Sequence, residues 1–170
     1  MFGNIKSLKI HAKSAMAAAG LLALVALPST VDAAAGAGPF AALAGAWSGG
    51  GTITTSNGAK ERIRCRANYN VGSTGANLDL RLRCASDSYN FELQSNASYN
   101  NGAVTGTWNE TTRGVGGSIE GSGNGSSIKV RVSGIISAML ALNTVANQQS
   151  ISIQAPGTEL QHVAISLSRK

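Results

Sequence analysis

The chain has 170 residues, of which 21 are Gly and only 3 are Pro, and charged side chains make up 13% of it. This length favours a single folded domain, and the hydrophobic share of 43% excludes a fully disordered chain. The low charge content argues against a coiled coil, and the absence of a three-residue glycine period excludes collagen. The excess of 14 Lys and Arg over 8 Asp and Glu makes the chain mildly basic.

The first 33 residues have the three-part layout of a secretory signal. Lys6, Lys9 and Lys13 precede an uncharged Ala- and Leu-rich run at 15–27, and small residues flank Asp32. The apolar run is shorter than the ~20 residues that a spanning helix needs. We therefore expect residues 1–33 to be cleaved and the protein to be periplasmic or secreted. An uncleaved anchor is the alternative.

The two cysteines of the chain, Cys65 and Cys84, are expected to form a disulfide, because exported proteins mature in an oxidising compartment. Residues 34–44 are small and uncharged, and we interpret them as a flexible N-terminal arm whose end Phe40 and Leu43 tack to the core. Residues 45–170 are then one domain. In it, apolar and polar residues alternate in short segments between turn signals, as is typical of an all-β sandwich or barrel.

The segment from Lys60 to Ser86 predicts a hairpin in one particular register. A register that places Cys65 opposite Cys84 also places Tyr69 opposite Leu80, and every apolar side chain then falls on one side of the sheet. A one-residue slip would destroy this agreement. Opposed residues of an antiparallel pair lie ~4.5–5.5 Å apart at Cα, within reach of a disulfide. The register and the disulfide therefore support each other.

Similar segments continue to the end of the chain, so the predicted fold is an antiparallel up-and-down barrel of about 8–10 short strands. Two places are less regular. Asn57-Gly58 resembles a two-residue turn, but that register would put Ile53 opposite Arg62, so a longer loop or a bulge is favoured. Residues 135–145 are compatible with a helix by composition and with a strand by position, and the strand is favoured.

Gly45-Ala46-Trp47 opens the first predicted strand and resembles the Gly-x-Trp motif of lipocalins and related calycin barrels. The resemblance implies that Trp47 plugs a closed barrel end and packs against an Arg near the last strand, for which Arg169 is the positional candidate. The lipocalin Thr-Asp-Tyr motif is missing. The layout is also similar to small periplasmic inhibitors of bacterial metalloproteases, which implies a free N-terminal arm that enters a protease cleft.

Catalytic chemistry has little basis in the sequence. His162 is the one histidine after the signal, so a His-rich metal site is excluded, and no thiolate is left once the disulfide forms. No Gly-x-Ser-x-Gly motif occurs. The alternative is a Ser–His–Asp triad formed by residues that are far apart in the sequence. We expect no enzyme activity, no metal and no cofactor.

The inner side of the barrel is the first candidate site, for a small apolar ligand. Protein binding through the 34–44 arm is the alternative function. The residues expected to line the ligand site are Tyr69, Leu80, Leu82, Phe91 and Trp108.

The outer side of the predicted hairpin is the second candidate site, for an anion or an acidic partner. Arg66 lies opposite Arg83 in the proposed register, and such a like-charge pair costs stability unless something shares the charges. A merely solvated face is the alternative. Nucleic acid is not expected, because the aromatic residues fall on the other side. An integral outer-membrane barrel is not expected either, because few aromatics are available for its girdles. The arginines of this site are Arg62, Arg64, Arg66, Arg81 and Arg83.

Overall fold

The computed structural model describes residues 38–170, so the predicted signal at 1–33 and residues 34–37 lie outside the described part. Ten β-strands fill this part of the chain. They are β1 (Gly45–Thr55), β2 (Lys60–Val71), β3 (Asn77–Ala85), β4 (Asn90–Asn100), β5 (Ala103–Glu110), β6 (Val115–Asn124), β7 (Ser127–Gly134), β8 (Ala138–Val145), β9 (Gln148–Gln154) and β10 (Leu160–Arg169).

Each strand pairs antiparallel with its neighbours in the chain, and β1 pairs with β10 to close the barrel. The all-β, up-and-down prediction is therefore confirmed, at the upper end of the expected strand number. Closure leaves no free sheet edge among these strands. Most apolar residues of the strands turn inward and form one core, whereas Met139 and Val145 of β8 are exposed.

The β2–β3 hairpin has the predicted register. Cys65 pairs with Cys84, Tyr69 with Leu80 and Val71 with Leu78. The two cysteines form a disulfide with a Cα–Cα distance of 4.1 Å, and both are buried inside the barrel. The arginines alternate with these residues and therefore lie on the outer face.

At both of the less regular places, the Asn57-Gly58 loop and residues 135–145, the structure has the conformation that the sequence favoured. Thr54 pairs with Lys60, so 56–59 form the longer loop expected between β1 and β2, and Gly58 adopts a φ of 83° there. Ala138–Val145 is strand β8 and not a helix. Residues 135–137 form the turn before it, where Ile135 is exposed.

The barrel end at which the chain enters β1 is closed by residues 38–44. The backbone N–H of Gly38 donates to Thr74 O at 2.8 Å and that of Phe40 to Gly75 O at 3.1 Å. A 3-10 turn, Ala41–Leu43, follows, and Phe40 and Leu43 are each only 1% exposed. The expected tacking by these two side chains is present. The sequence predicted that only the end of the 34–44 arm is attached. In the structure the whole 38–44 segment lies against the barrel, because the side chains of Phe40 and Leu43 are both buried.

Trp47 fills this closed end and is held from two sides. Its indole Nε1 donates to Leu43 O at 2.7 Å, and the guanidinium carbon of Arg169 lies 4.3 Å from its ring centroid. Arg169 also donates from Nη2 to Ala42 O at 2.6 Å and from Nη1 to Ala44 O. One arginine of the last strand thus fixes both the plug and the segment that covers it.

Inward-facing glycines, among them Gly49, Gly106 and Gly117, lie where neighbouring strands approach closely. A Cβ on Gly49 of β1 would lie 2.0 Å from Ser166 O, and one on Gly117 of β6 would lie 1.7 Å from Ser133 O. No side chain fits at either position. The close approaches at inward glycines fall between β1 and β10, between β4 and β5, and between β6 and β7.

Candidate functional site

The five predicted ligand-lining residues all face the barrel interior, but they differ in exposure. Tyr69 and Trp108 are buried, with 3% and 6% exposed, whereas Leu80, Leu82 and Phe91 are half-buried. The first two therefore belong to the packed core. The other three present part of their apolar surface to solvent.

Tyr69 ties two sides of the lumen together near the closed end. Its hydroxyl donates to Gln149 Oε1 of β9 at 2.8 Å, and Gln149 Nε2 donates to Thr144 Oγ1 of β8 at 3.4 Å. Burial raises the pKa of Tyr69, and its hydrogen bond with Gln149 offsets only part of this effect. The phenol is therefore neutral and already has a partner.

Trp108 of β5 has a similar structural role. Its indole Nε1 donates to Ser133 O of β7 at 3.1 Å, and its pairing partner on β6 is Gly117. Because Gly117 has no side chain, β7 approaches closely enough for this bond. Trp108 thus connects β5 to β7 across β6.

The other end of the barrel, which we call the mouth, is formed by the turns at 56–59, 86–89, 111–114, 135–137 and 155–159. Most of the half-buried inner apolar residues lie on the strand halves next to these turns, whereas those nearer the closed end are Val71, Leu78, Leu80 and Tyr99. The interior is therefore sealed at the closed end and more exposed toward part of the mouth, although Ile53, Ile63 and Cys84 are buried there. The half-buried inner residues toward the mouth are Leu82, Phe91, Leu93, Val115, Val132, Leu140, Ile153, Leu160 and Val163.

Glu110 is a buried carboxylate at the mouth, and backbone groups satisfy it. It accepts the N–H groups of Glu92 at 3.0 Å, Thr112 at 3.1 Å and Arg113 at 2.9 Å. Burial raises the pKa of Glu110, but hydrogen bonds from the Thr112 side chain and these N–H groups outweigh it and lower the pKa to about 2. The ionised carboxylate of Glu110 therefore stabilises the β5–β6 turn.

Aromatic and charged side chains continue around the mouth from this turn. The Arg113 guanidinium lies 5.0 Å from the Phe91 ring centroid and 3.4 Å from Glu110 Oε2. Tyr89 stacks on Phe91 with centroids 6.2 Å apart, and its hydroxyl donates to Glu159 Oε1 at 3.0 Å. The β3–β4 and β9–β10 turns are thereby linked over the β1–β2 loop.

A depression of about 350 Å³ lies at this linked side of the mouth. Glu61 borders it and accepts the N–H of Ser88 at 2.8 Å. Hydrogen bonds from the Ser86 side chain and from the Ser88 N–H lower the pKa of Glu61, while the hydrogen bond to Glu159 raises the pKa of Tyr89. The depression is lined by Thr55, Ser56, Asn57, Ala59, Lys60, Glu61, Tyr89 and Glu159.

The predicted arginine site lies on the outer face, with all five side chains exposed. Arg66 pairs directly with Arg83, as the register predicted, and Arg83 Nη2 lies 3.1 Å from Glu92 Oε1 of β4. Next to these arginines the structure shows a polar depression of about 340 Å³ that the sequence analysis missed. In the sequence, the Asn and Gln residues of this depression are recognisable only as polar positions that alternate with apolar ones along the strands. The lining residues are Asn68, Asn70, Asp79, Leu80, Arg81, Gln94, Ser95 and Asn96.

His162 lies on the outer side of β10, alternating with the inward Val163, and its Nε2 is 3.2 Å from Ser152 Oγ. It therefore points away from the lumen. Within residues 38–170 no group of three or more His, Cys, Asp or Glu side chains is arranged to hold a metal ion. In the same part of the chain, no helix has the length and apolar character needed to cross a membrane.

Comparison with solved structures finds the same type of fold. The crystal structure of Rv2717c from M. tuberculosis superposes with a TM-score of 0.60 at 14% sequence identity, over 76% of this chain and 93% of that one. At this identity the likeness extends to the fold alone. No protein-family model matches the chain, and no curated protein matches it.

Proposed function

We propose that the chain is an exported, non-enzymatic barrel protein of calycin type that binds a small apolar ligand in its lumen. The observation that supports this most directly is the distribution of inner apolar side chains. They are packed around Trp47 and Tyr69 at the closed end and around Ile53 and Ile63 beside the β1–β2 loop, and they are half-buried toward the rest of the mouth, around Leu82, Phe91 and Leu140.

Half-buried apolar side chains inside a barrel leave surface that a ligand can remove from water. Such burial contributes about 25 cal/mol per Å² of apolar area. Ligand sites typically combine an apolar lining with a few polar groups that fix orientation. At the mouth, Arg113 and Tyr89 supply such groups beside the Phe91 ring. The ligand is expected to be apolar with one polar or charged end.

The calycin assignment is supported by the contact between Trp47 and Arg169, which the Gly-x-Trp resemblance implies. Export is supported by the signal layout of 1–33 together with the Cys65–Cys84 disulfide. A role without catalysis is supported by the placement of His162, which points away from the lumen, and by the three backbone N–H groups that hold Glu110.

The test uses a neighbouring pair of variants on β8 and a fluorescent long-chain fatty acid as the probe. Leu140 faces the lumen and is half-buried, whereas the adjacent Met139 points outward and is 44% exposed. Leu140→Gln is expected to weaken probe binding by about fivefold to a hundredfold, since desolvating an amide there costs ~1–3 kcal/mol. Met139→Gln is the matched control and should bind as the wild type does. Equal binding by all three proteins would refute a lumen site, provided that circular dichroism shows the barrel intact.

Native mass spectrometry of the protein purified from its own envelope complements this test. A retained small molecule supports ligand carriage, whereas a co-purifying protease supports the alternative function of protein binding through the arm. For that alternative, residues 38–44 cover the closed end of the barrel, and the rest of the predicted arm, 34–37, lies outside the described residues.

A further inference from the structure

The outer face of β2–β4 carries two adjacent features that the lumen function does not use. The first, which we call the cationic stripe, consists of exposed basic side chains on β2 and β3. The second, which we call the amide depression, is the polar hollow described above. The stripe comprises Lys60, Arg62, Arg64, Arg66, Arg81 and Arg83, and the depression is bordered by Asn68, Asn70, Asp79, Arg81, Gln94 and Asn96.

The stripe is regularly spaced and uncovered. Its β2 cations recur at every second residue, hence ~6.7 Å apart, and Lys60 to Arg66 span ~20 Å at the rise of a strand. The outward residues of β1 that pair with Arg62, Arg64 and Arg66 are small. They are Thr52, Gly50 and Ser48, respectively. No long side chain of β1 therefore shields the guanidinium groups.

The stripe also has little internal compensation. Arg66 and Arg83 are directly opposed, which costs stability relative to a neutral pair. Within residues 38–170, the stripe makes one ion pair, between Arg83 and Glu92. The Arg83 side chain is still 76% exposed in this pair. A row of cations that neighbouring residues do not cover, and of which Arg83 alone has an ion-pair partner in the described residues, suits a ligand with regularly spaced anionic groups.

The amide depression offers chemistry suited to hydroxyl groups. Two cross-strand rows form it: Asn68, Arg81 and Gln94 in one, and Asn70, Asp79 and Asn96 in the other. The Asn96 amide donates to the Asp79 carboxylate, which orients both. Side-chain amides donate and accept hydrogen bonds, as sugar hydroxyls do, and the carboxylate accepts.

The two features share Arg81, so one extended ligand can contact both. We propose that this face binds an acidic polysaccharide, with sugar hydroxyls in the amide depression and carboxylate or sulfate groups along the cationic stripe. This site is independent of the lumen. A single-stranded nucleic acid is less suited, because stacking needs aromatic side chains and no outward position of β2–β4 is aromatic. A lipid surface is less suited, because the stripe offers no apolar side chain for insertion.

The test titrates the chain without residues 1–33 against polygalacturonate, a linear polymer with one carboxylate per sugar. Dextran is the neutral comparison and polyphosphate the anionic comparison without sugars. We expect binding to polygalacturonate that weakens as salt rises, and no binding to dextran. Arg64→Gln/Arg66→Gln should weaken it at least about tenfold, because charge-assisted hydrogen bonds contribute ~1.5–3 kcal/mol each. The matched control, Lys129→Gln/Arg131→Gln, removes the same charge from the outer face of β7 and should stay within about twofold of the wild type.

A second pair of substitutions separates sugar recognition from charge attraction. Asn70→Ala/Asn96→Ala should weaken polygalacturonate binding severalfold and leave polyphosphate binding unchanged. Loss of binding through misfolding is excluded by thermal unfolding, since Arg64→Gln/Arg66→Gln relieves the Arg66–Arg83 opposition and should unfold at the same or a higher temperature.

Four outcomes would overturn the proposal. They are no binding of polygalacturonate at low salt, equal losses in the two charge variants, no effect of the asparagine substitutions, or tighter binding of single-stranded DNA or phosphatidylglycerol vesicles than of polygalacturonate. None of them bears on the lumen, because the fatty acid probe reports that site separately.

Discussion

The guanidinium of Arg169 lies over the indole of Trp47, with 4.3 Å between the guanidinium carbon and the ring centroid. The same side chain donates to the carbonyl oxygens of Ala42 and Ala44. Strand β10 thus holds the plug of β1 and the covering segment through one residue. This contact closes the barrel at the end opposite the mouth.

Replacing Arg169 should destabilise the closed end. Arg169→Ala loses a cation–π contact worth ~0.5–1 kcal/mol and two hydrogen bonds, so we expect the free energy of unfolding to fall by about 1–3 kcal/mol. Urea unfolding measures this, with Lys170→Ala as the control that removes a neighbouring charge. Equal stability of the two variants would show that the contact contributes nothing.

Removing the disulfide should also lower stability. Cys65 and Cys84 are 19 residues apart, and closing a loop of this size contributes about 3 kcal/mol, chiefly by restricting the unfolded chain. Cys65→Ala/Cys84→Ala should therefore unfold at a lower temperature in a calorimetric scan. Reducing the wild type with dithiothreitol should produce a comparable decrease. A double variant as stable as the oxidised wild type contradicts the expectation.

Acid should weaken the β5–β6 turn through Glu110. Its pKa is about 2 in the folded protein against 4.5 for the free side chain, so its contribution is present above pH 4.5 and is lost as the pH falls toward 2. Glu110→Gln should be less stable than the wild type by about 1–3 kcal/mol at pH 7. Urea unfolding at several pH values should show this difference shrinking on acidification. The exposed Glu120→Gln is the control, and a deficit independent of pH would refute the assignment.

The inward glycines should not tolerate a methyl group. A Cβ on Gly49 would lie 2.0 Å from Ser166 O, so Gly49→Ala must push β1 and β10 apart. We expect a loss of several kcal/mol or no folded protein, beyond the ~1–3 kcal/mol typical of overpacking. Gly72→Ala is the matched control, since its Cβ would meet Asn77 Cβ at an ordinary 3.6 Å. Soluble yield and thermal unfolding compare the two, and similar values would contradict the close approach.

The sequence predicts the parts of this fold that depend on alternation. The register of β2 and β3 follows from the inward sides of two strands and a cysteine on each, and the outward arginines follow from the same alternation. The position of Arg169 against Trp47 follows from a family resemblance. Each of these needs information from one strand pair or from one motif.

Features that depend on three or more strands were not predictable in this way. The amide depression needs the β3–β4 register as well, because Asn96 reaches Asp79 only across that pair. The role of Glu110 depends on the conformation of a turn that the sequence does not specify. The burial of Tyr69 against Gln149 depends on barrel closure, which brings β2 and β9 to facing sides of the lumen.

The seal around Trp47 has a kinetic consequence for any ligand of the lumen. Entry and departure must use the same opening, so a second molecule can arrive only after the first has left. Displacement experiments should then give a dissociation rate that does not change with competitor concentration. The linked turns that Tyr89 and Glu159 join would set that rate, while the far end of the barrel stays shut throughout.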